Sequence, residues 1–550
     1  MVPAPPRRST LVLLAAAGGI SAVAELALPL AIGHTVDAVV ADRAAGRWLA
    51  WSAVLVGVLV VADPVRDLVA GLAPAERTAY LRRCLVRHTL ALGDRGAGGP
   101  GDAVSRMMTG AADAGQGGAA VVLAWISIVP VAGAVVALAY LDGWLITGYL
   151  AGSVAVAALL RRHVRDTSDA VVRYQRAQAD IATRLSEALA GSRTIVAAAT
   201  VPTEIRRCLR PLRDLAAAGV GTWHVLARSA AQGALAGPLL QLSVVAVGGW
   251  LLSRGRLTPG ELLAAIQYGA LGAGIGGLVA SFNRVARARA GSRRVTEVLR
   301  RPVPRYGRRE LPAGPGTLTF RGVTVRAAGV PVLSGVTLAL PGGRPAAVVG
   351  RSGSGKSLLA ALAARLVDPD EGQIRLDGVP LTELSADSLR REIGVAFEDP
   401  MLVGATVGDA VGLGQDRPDH ATVAAALHAA SAGTFVSRLP RGAGTPLADT
   451  PLSGGERQRL GLARAWHAGR LLVLDDATSS LDTATEAEIM GLVTGRSRRT
   501  HLVVAHRAST AARCATVVWL DGGRVRAVAP HRQLWTDPDY RAVFGAGDHP

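Results

Sequence analysis

Six apolar runs in the first half of the chain limit its fold more than any other feature. They fall at about 10–32, 49–72, 119–141, 144–160, 226–252 and 262–281. A helix of roughly 20 residues spans the hydrocarbon of a bilayer, and each run is close to that length or above it. Lipid offers no partner to a backbone amide, so runs of this kind enter it as helices. Mean hydropathy is +0.31 and half of the residues are hydrophobic, which agrees with membrane spans. The first run follows Arg7 and Arg8. It is too long for the apolar core of a secretion signal and lacks a clear cleavage site, so it reads as a first span with its N-terminus inside.

The formal charge of +18 raises the question of nucleic-acid binding, and the placement of the arginines answers it. Segment 161–213 holds eleven arginines against five acids, while the short loops 41–47 and 253–260 hold two arginines each. Basic residues stay on the cytoplasmic side, so the long arms are predicted to be cytoplasmic and the short loops external. Topology explains the charge, and no nucleic-acid partner is expected. Cys84, Cys208 and Cys514 lie far apart, which points to neither a disulfide framework nor a zinc site. Within the spans Glu25, Asp63, Arg66, Asp67, Gln241, Gln267 and Asn283 are costly in lipid and should face the bundle interior or water. Glu25, Gln241, Trp250, Gln267 and Tyr268 are candidate cavity residues, and Gly272 with Gly276 forms a G-x-x-x-G for close helix approach.

Residues 284–316 are rich in Arg and Pro without a sustained apolar period, and they read as a linker. From 317 short β-prone stretches alternate with helical ones, which predicts an α/β domain with a mostly parallel sheet and a small antiparallel portion. The expected plan is therefore an all-α transmembrane domain of six helices at 1–283, a linker at 284–316, and an α/β P-loop domain at 317–550.

Gly350, Arg351, Ser352, Gly353, Ser354, Gly355, Lys356 and Ser357 follow a buried-strand run and precede a helix-forming run that starts at Leu358. This is the G-x-x-x-x-G-K-S spacing of a phosphate-binding loop. Its glycines let successive N–H groups turn toward one anion, Lys356 reaches the terminal phosphates, and the Ser357 hydroxyl can ligate Mg²⁺. Lys356 is the single lysine among 60 Lys and Arg, at a place where the wide guanidinium fork would not substitute for a compact ammonium. A nucleoside triphosphate with Mg²⁺ is the predicted ligand pair. The apolar strand 471–474 ends in Asp475 and Asp476, which can place one carboxylate on the Mg²⁺ shell and aim the other at an attacking water. About twenty residues upstream, Ser453, Gly454, Gly455 and Glu456 precede a helix whose N–H groups form a second anion-binding end.

Together with the turn at Ser479, Ser480, Leu481 and Asp482, and with His506 after an apolar strand, these motifs resemble an ABC-transporter ATPase domain in order and spacing. Six spans fused ahead of it resemble an exporter-type half-transporter. The phrases at 33–37 (GHTVD) and 187–195 (EALAGSRTI) agree. The resemblance implies a multi-pass protein of the cell membrane with its ATPase domain cytoplasmic. It implies a second half-transporter as partner, with ATP held between the phosphate loop of one chain and residues 453–456 of the other. Asp482 and Leu358 join the nucleotide-binding residues on the same ground, and His506 becomes a γ-phosphate contact. Coupling segments are placed near 94–108 and 199–207.

Three positions depart from the family pattern. Asp476 stands where most active members have glutamate, and Glu398 stands at the glutamine that ligates Mg²⁺. The adenine-stacking aromatic expected near 326–328 is missing, with Arg326 a substitute. Misplacing a catalytic group by about 1 Å can cost on the order of 10²-fold. These departures predict a slow ATP site on this chain's own loop and favour a heterodimer over a homodimer. The predicted cargo is a small amphipathic molecule, peptide or natural product. Alternatives are a metal-chelate importer of exporter fold, a homodimeric multidrug-type exporter, and an ATP-binding regulatory protein.

Overall fold

The computed structural model describes residues 8–93, 100–161, 164–327, 329–415, 418–495 and 499–544. The chain divides into two compact units, with the main boundary between Arg301 and Pro302.

The first unit is helical. Its long helices are α1 (Arg8–Val40), α2 (Gly46–Leu92), α3 (Gly117–Leu141), α4 (Gly143–Arg161), α5 (Val164–Ala190), α6 (Leu212–Ser253), α7 (Pro259–Gly272) and α8 (Ile275–Leu299). Among the described residues three stretches are long and apolar enough to cross a membrane: Ser9–Val40, Gly46–Leu92 and Asp102–Leu141. The apolar portion of α6, Gly237–Ser253, is shorter. The last expected span is broken: α7 stops at Gly272 and α8 starts at Ile275. Tyr149 of α4 explains the small residue there, because its hydroxyl donates to the Gly272 carbonyl at 2.7 Å and a Cβ on Gly272 would lie 2.6 Å from that oxygen. The G-x-x-x-G pair thus straddles a helix break rather than one continuous helix face.

The phrase at 33–37 acquires a role at the other end of α1. Asp37 accepts hydrogen bonds from the Thr258 hydroxyl at 2.6 Å and the Gly260 N–H at 2.7 Å. Gly33 permits this, since a Cβ there would lie 2.6 Å from the Gly260 carbonyl oxygen. Of the two expected coupling segments, residues 94–99 lie outside the described residues, and the rest of the first begins with a short helix, Pro100–Ser105. The second holds Ala199 at φ 55° ahead of a helix at Val201–Leu209.

The arginine-rich stretch read as linker is helical to Leu299. Ser281, Val285, Ala288, Val295 and Val298 are all buried, at the three- and four-residue spacing of one helix face. The basic side chains between them mask that stripe in composition.

The second unit carries two sheets. Strands β1 (Leu318–Ala327), β2 (Val330–Leu340), β4 (Glu371–Leu376) and β5 (Val379–Pro380) form an antiparallel sheet in the order β2-β1-β4-β5. Strands β3 (Pro345–Gly350), β6 (Ile393–Ala396), β7 (Leu471–Leu474), β8 (Thr500–Val504), β9 (Thr516–Asp521) and β10 (Arg524–Ala529) form a sheet in the order β10-β9-β3-β8-β7-β6. All of its pairings are parallel except β9 with β10. Along β3, Ala346 and Val348 face one core, while Ala347 and Val349 face the other. Burial on both faces is why these strands read as unbroken apolar runs.

Candidate nucleotide-binding site

Neighbouring parallel strands deliver the site. β3, β8 and β7 lie side by side, with Val348 opposite Val504 and Val503 opposite Leu474. Their carboxyl ends therefore bring the phosphate loop, His506 and the Asp475–Asp476 pair to one edge of the sheet, where open α/β sheets bind ligands. Ala396 of β6 pairs with Leu474, so Glu398 follows from the next strand over.

The loop leads into α9 (Lys356–Ala363). Gly353 at φ 80° and Gly355 at φ 97° take left-handed conformations, and a Cβ on Gly355 would lie 2.6 Å from Leu333. Both glycines are needed for the turn. Lys356 is 7% exposed, and its Nζ donates to the carbonyls of Gly350 at 2.8 Å and Arg351 at 3.2 Å, folding the ammonium over the loop. Burial lowers its pKa, and the carboxylates of Asp476 and Asp475 oppose that shift. Ser354 Oγ is buried with no hydrogen-bond partner among the described residues. Arg351 and Ser352 are exposed, and Leu358 packs its side chain on the core beneath.

Asp475 carries the electrostatic strain of the site. Its pKa is raised, first by burial and then by the negative charges of Asp476 and Glu398, against the hydrogen bond from Ser357. Its Oδ1 is buried without a partner among the described residues. An orphaned, crowded carboxylate beside a serine hydroxyl is a donor set that suits a hard divalent cation, so Ser357 and Asp475 fit Mg²⁺. Glu398 is exposed, and its main-chain carbonyl is taken by Gln458 Nε2 at 2.7 Å. Asp476 has φ 52°, a left-handed conformation that Asp tolerates better than most residues. Its Oδ2 is 2.9 Å from His506 Nε2, and the imidazole is 57% exposed.

Residues 453–456 stand at the head of α10 (Gly454–Ala465), and among the described residues no hydrogen bond ties them to the phosphate loop. Ser453 and Glu456 form a reciprocal cap: Glu456 Oε2 accepts from the Ser453 N–H and hydroxyl, each at 2.8 Å, and Ser453 Oγ accepts from the Glu456 N–H at 3.3 Å. The Ser453 N–H holds the Glu456 carboxyl below its usual range. The N–H groups of Gly454 and Gly455 remain in the first helical turn, where no intrahelical acceptor exists. Asp482 caps α11 (Thr483–Thr494), accepting from the Thr485 N–H at 2.9 Å and the Thr485 hydroxyl at 2.8 Å. Both of its oxygens are thus occupied locally. The guanidinium of Arg326 pairs with Glu371 at 2.8 Å.

Gln458, the last residue of the run 452–458, has a role that the motif itself does not announce. Buried to 2%, it donates to the Glu398 carbonyl at 2.7 Å and Ser479 Oγ at 2.9 Å, and accepts from the Ser480 N–H at 2.9 Å. It joins the segment after β6, the segment after β7 and α10. Its place two residues beyond Glu456, on the same helix as the second anion-binding end, is the signal for that role.

Comparisons with known proteins find likenesses over both units. The profile described as ABC transporter matches residues 333–479, and that described as ABC transporter transmembrane region matches 11–271. The ABC transporter ATP-binding protein RamA of Streptomyces coelicolor is 47% identical, over 99% of this chain and 87% of its own. The mycobactin import ATP-binding/permease protein IrtA of Mycolicibacterium smegmatis is 35% identical over 56% of this chain, a match that spans 36% of IrtA. A bacterial Atm1-family ABC exporter with ATP bound shares the fold, with TM-score 0.75, 24% identity and 98% of both chains covered.

Proposed function

Because this chain belongs to the ABC transporter family, as an exporter-type subunit with a membrane unit fused ahead of an ATPase unit, we propose that it works as one half of a heterodimer. In that assembly its own phosphate loop is a slow site, and residues 453–456 complete the site of a different partner chain. The observation that carries this reading is Asp476: a short carboxylate on a left-handed backbone, already engaged by His506 at 2.9 Å.

ATP supplies the phosphoanhydride whose hydrolysis drives the cycle. Lys356 and the loop N–H groups would hold its phosphates, and Ser357 and Asp475 would hold Mg²⁺. Asp476 is the group left to orient water, and it does so from a stem one methylene shorter than glutamate. His506 orients Asp476 through Nε2, and its other ring nitrogen would donate toward the terminal phosphate once the ring is protonated. The N–H groups of Gly454 and Gly455, in the first turn of α10, would meet a facing phosphate.

The cargo we assign is a small amphipathic molecule, peptide or natural product, leaving through the plasma membrane with the N-terminus and the ATPase unit cytoplasmic. The arginine-rich arms support that sidedness. Likeness to IrtA favours a second reading, uptake of a metal chelate, and a vesicle assay that reports direction separates the two. The first test is simpler. Purified alone in nanodiscs, the chain should bind ATP and turn it over slowly; brisk hydrolysis that Asp476→Asn abolishes would overturn the heterodimer reading.

A further inference from the structure

A cavity of about 310 Å³ lies inside the membrane unit, between α1, α2, α3 and α8. Glu25, Arg66, Asp67, Ser127, Pro130 and Arg284 are on its wall. Ionised side chains in a membrane unit are expensive and mark places where water or a ligand meets them. Their pairing here is uneven. Arg66 is paired with two carboxylates, Asp63 at 2.9 Å and Asp67 at 3.2 Å, and its charge also reaches Glu25, while Asp63 accepts from Ser21 as well. Among the described residues Glu25 has no hydrogen-bond or salt-bridge partner, and Arg284 has one long contact, to Ser281 Oγ at 3.4 Å. The two share the cavity without pairing with each other. Pro130 has no N–H, so the carbonyl of Ile126, which also lines the wall, lacks its helical donor.

We infer that this cavity binds a zwitterionic group on the cargo, with an ammonium on Glu25 and the Ile126 carbonyl and a carboxylate on Arg284. A purely cationic ligand would leave the guanidinium uncompensated, and a purely anionic one would leave the Glu25 carboxylate so. A ligand carrying both charges satisfies both walls, and a guanidinium takes a carboxylate by two parallel hydrogen bonds. The inference rests on the proposed transport role only in calling the ligand cargo. Its chemical class is that of free amino acids and of peptides with unblocked ends.

The test is equilibrium binding of radiolabelled trileucine to the full chain in nanodiscs, without nucleotide. Free trileucine should bind saturably, and its N-acetyl and C-amide forms about tenfold to a hundredfold more weakly, the factor for losing one charge-assisted pair. Glu25→Gln should abolish the penalty for acetylation alone, Arg284→Gln the penalty for amidation alone, and Arg284→Lys should restore the latter. Equal binding of the three peptides, or no saturable binding of the free one, overturns the inference. Should a variant fail to fold, the comparison of peptides on the unaltered chain decides alone. ATP turnover is measured separately, so its failure would count against the transport role and not against this site.

Discussion

His506 Nε2 and Asp476 Oδ2 stand 2.9 Å apart, joining the segment after β8 to the segment after its neighbour β7. The contact holds the carboxylate that would orient water, and it does so in a backbone conformation of φ 52°. Asp476→Glu lengthens the side chain toward the productive position. Steady-state ATP turnover of the purified chain should rise by on the order of 10²-fold. The left-handed backbone suits Asp better than Glu, so the same variant should lose about 1 kcal/mol of stability in a thermal melt.

Lys356 is folded over the loop by two main-chain carbonyls and is 7% exposed, a setting matched to a compact ammonium and not to a planar fork. Lys356→Arg should therefore behave like Lys356→Ala. Each should weaken ATP binding by about tenfold or more in a fluorescent-nucleotide titration, although the first variant preserves charge.

Gln458 closes three hydrogen bonds inside the ATPase unit. Gln458→Ala would leave the Glu398 carbonyl and the Ser480 N–H without it, at a cost of roughly 1–3 kcal/mol. Hydrogen–deuterium exchange should accelerate in peptides covering 398–402, 454–465 and 478–482, and stay unchanged in the β1–β2 hairpin.

His501 in β8 is 1% exposed, and neither ring nitrogen has a partner among the described residues. Burial, aided by the positive Arg499, pushes its pKa down to about 4. Unfolded, the ring takes a proton near pH 6.5; folded, it resists until about 4. Between those values the unfolded state binds more protons, so stability is full above about 6.5 and falls as pH is lowered, by up to about 3 kcal/mol. Thermal scans from about pH 7 to 4 should show this loss, and His501→Leu should flatten the share that the ring contributes.

The parallel sheet is legible in sequence because its strands are buried on both faces and end at motifs whose spacing is rigid. β2 is less so: Pro331 and Gly335 interrupt it, and its pairing with β1 shifts register three times, so a clean buried/exposed alternation survives only over 336–340. The end of the membrane unit is obscured for a different reason. Arginines between the buried positions 285, 288, 295 and 298 make an amphipathic helix look like linker, which sets Arg284 outside the unit it belongs to. Of the expected cavity residues Glu25 reaches the cavity. Tyr268 instead spends its hydroxyl on the Leu26 carbonyl at 2.6 Å, and Trp250 lies edge-on to Trp144. Sequence marks a polar group as costly, but only packing tells which neighbour has already claimed it.

The Asp37 clasp has a mechanical corollary. Drawing α1 away from α7 would strip two donors from a single carboxylate and pull apart the closely apposed backbones of Gly33 and Gly260 in the same step. Whatever rearrangement opens this bundle, its first and penultimate long helices should swing as a riveted couple, with the looser seams yielding first.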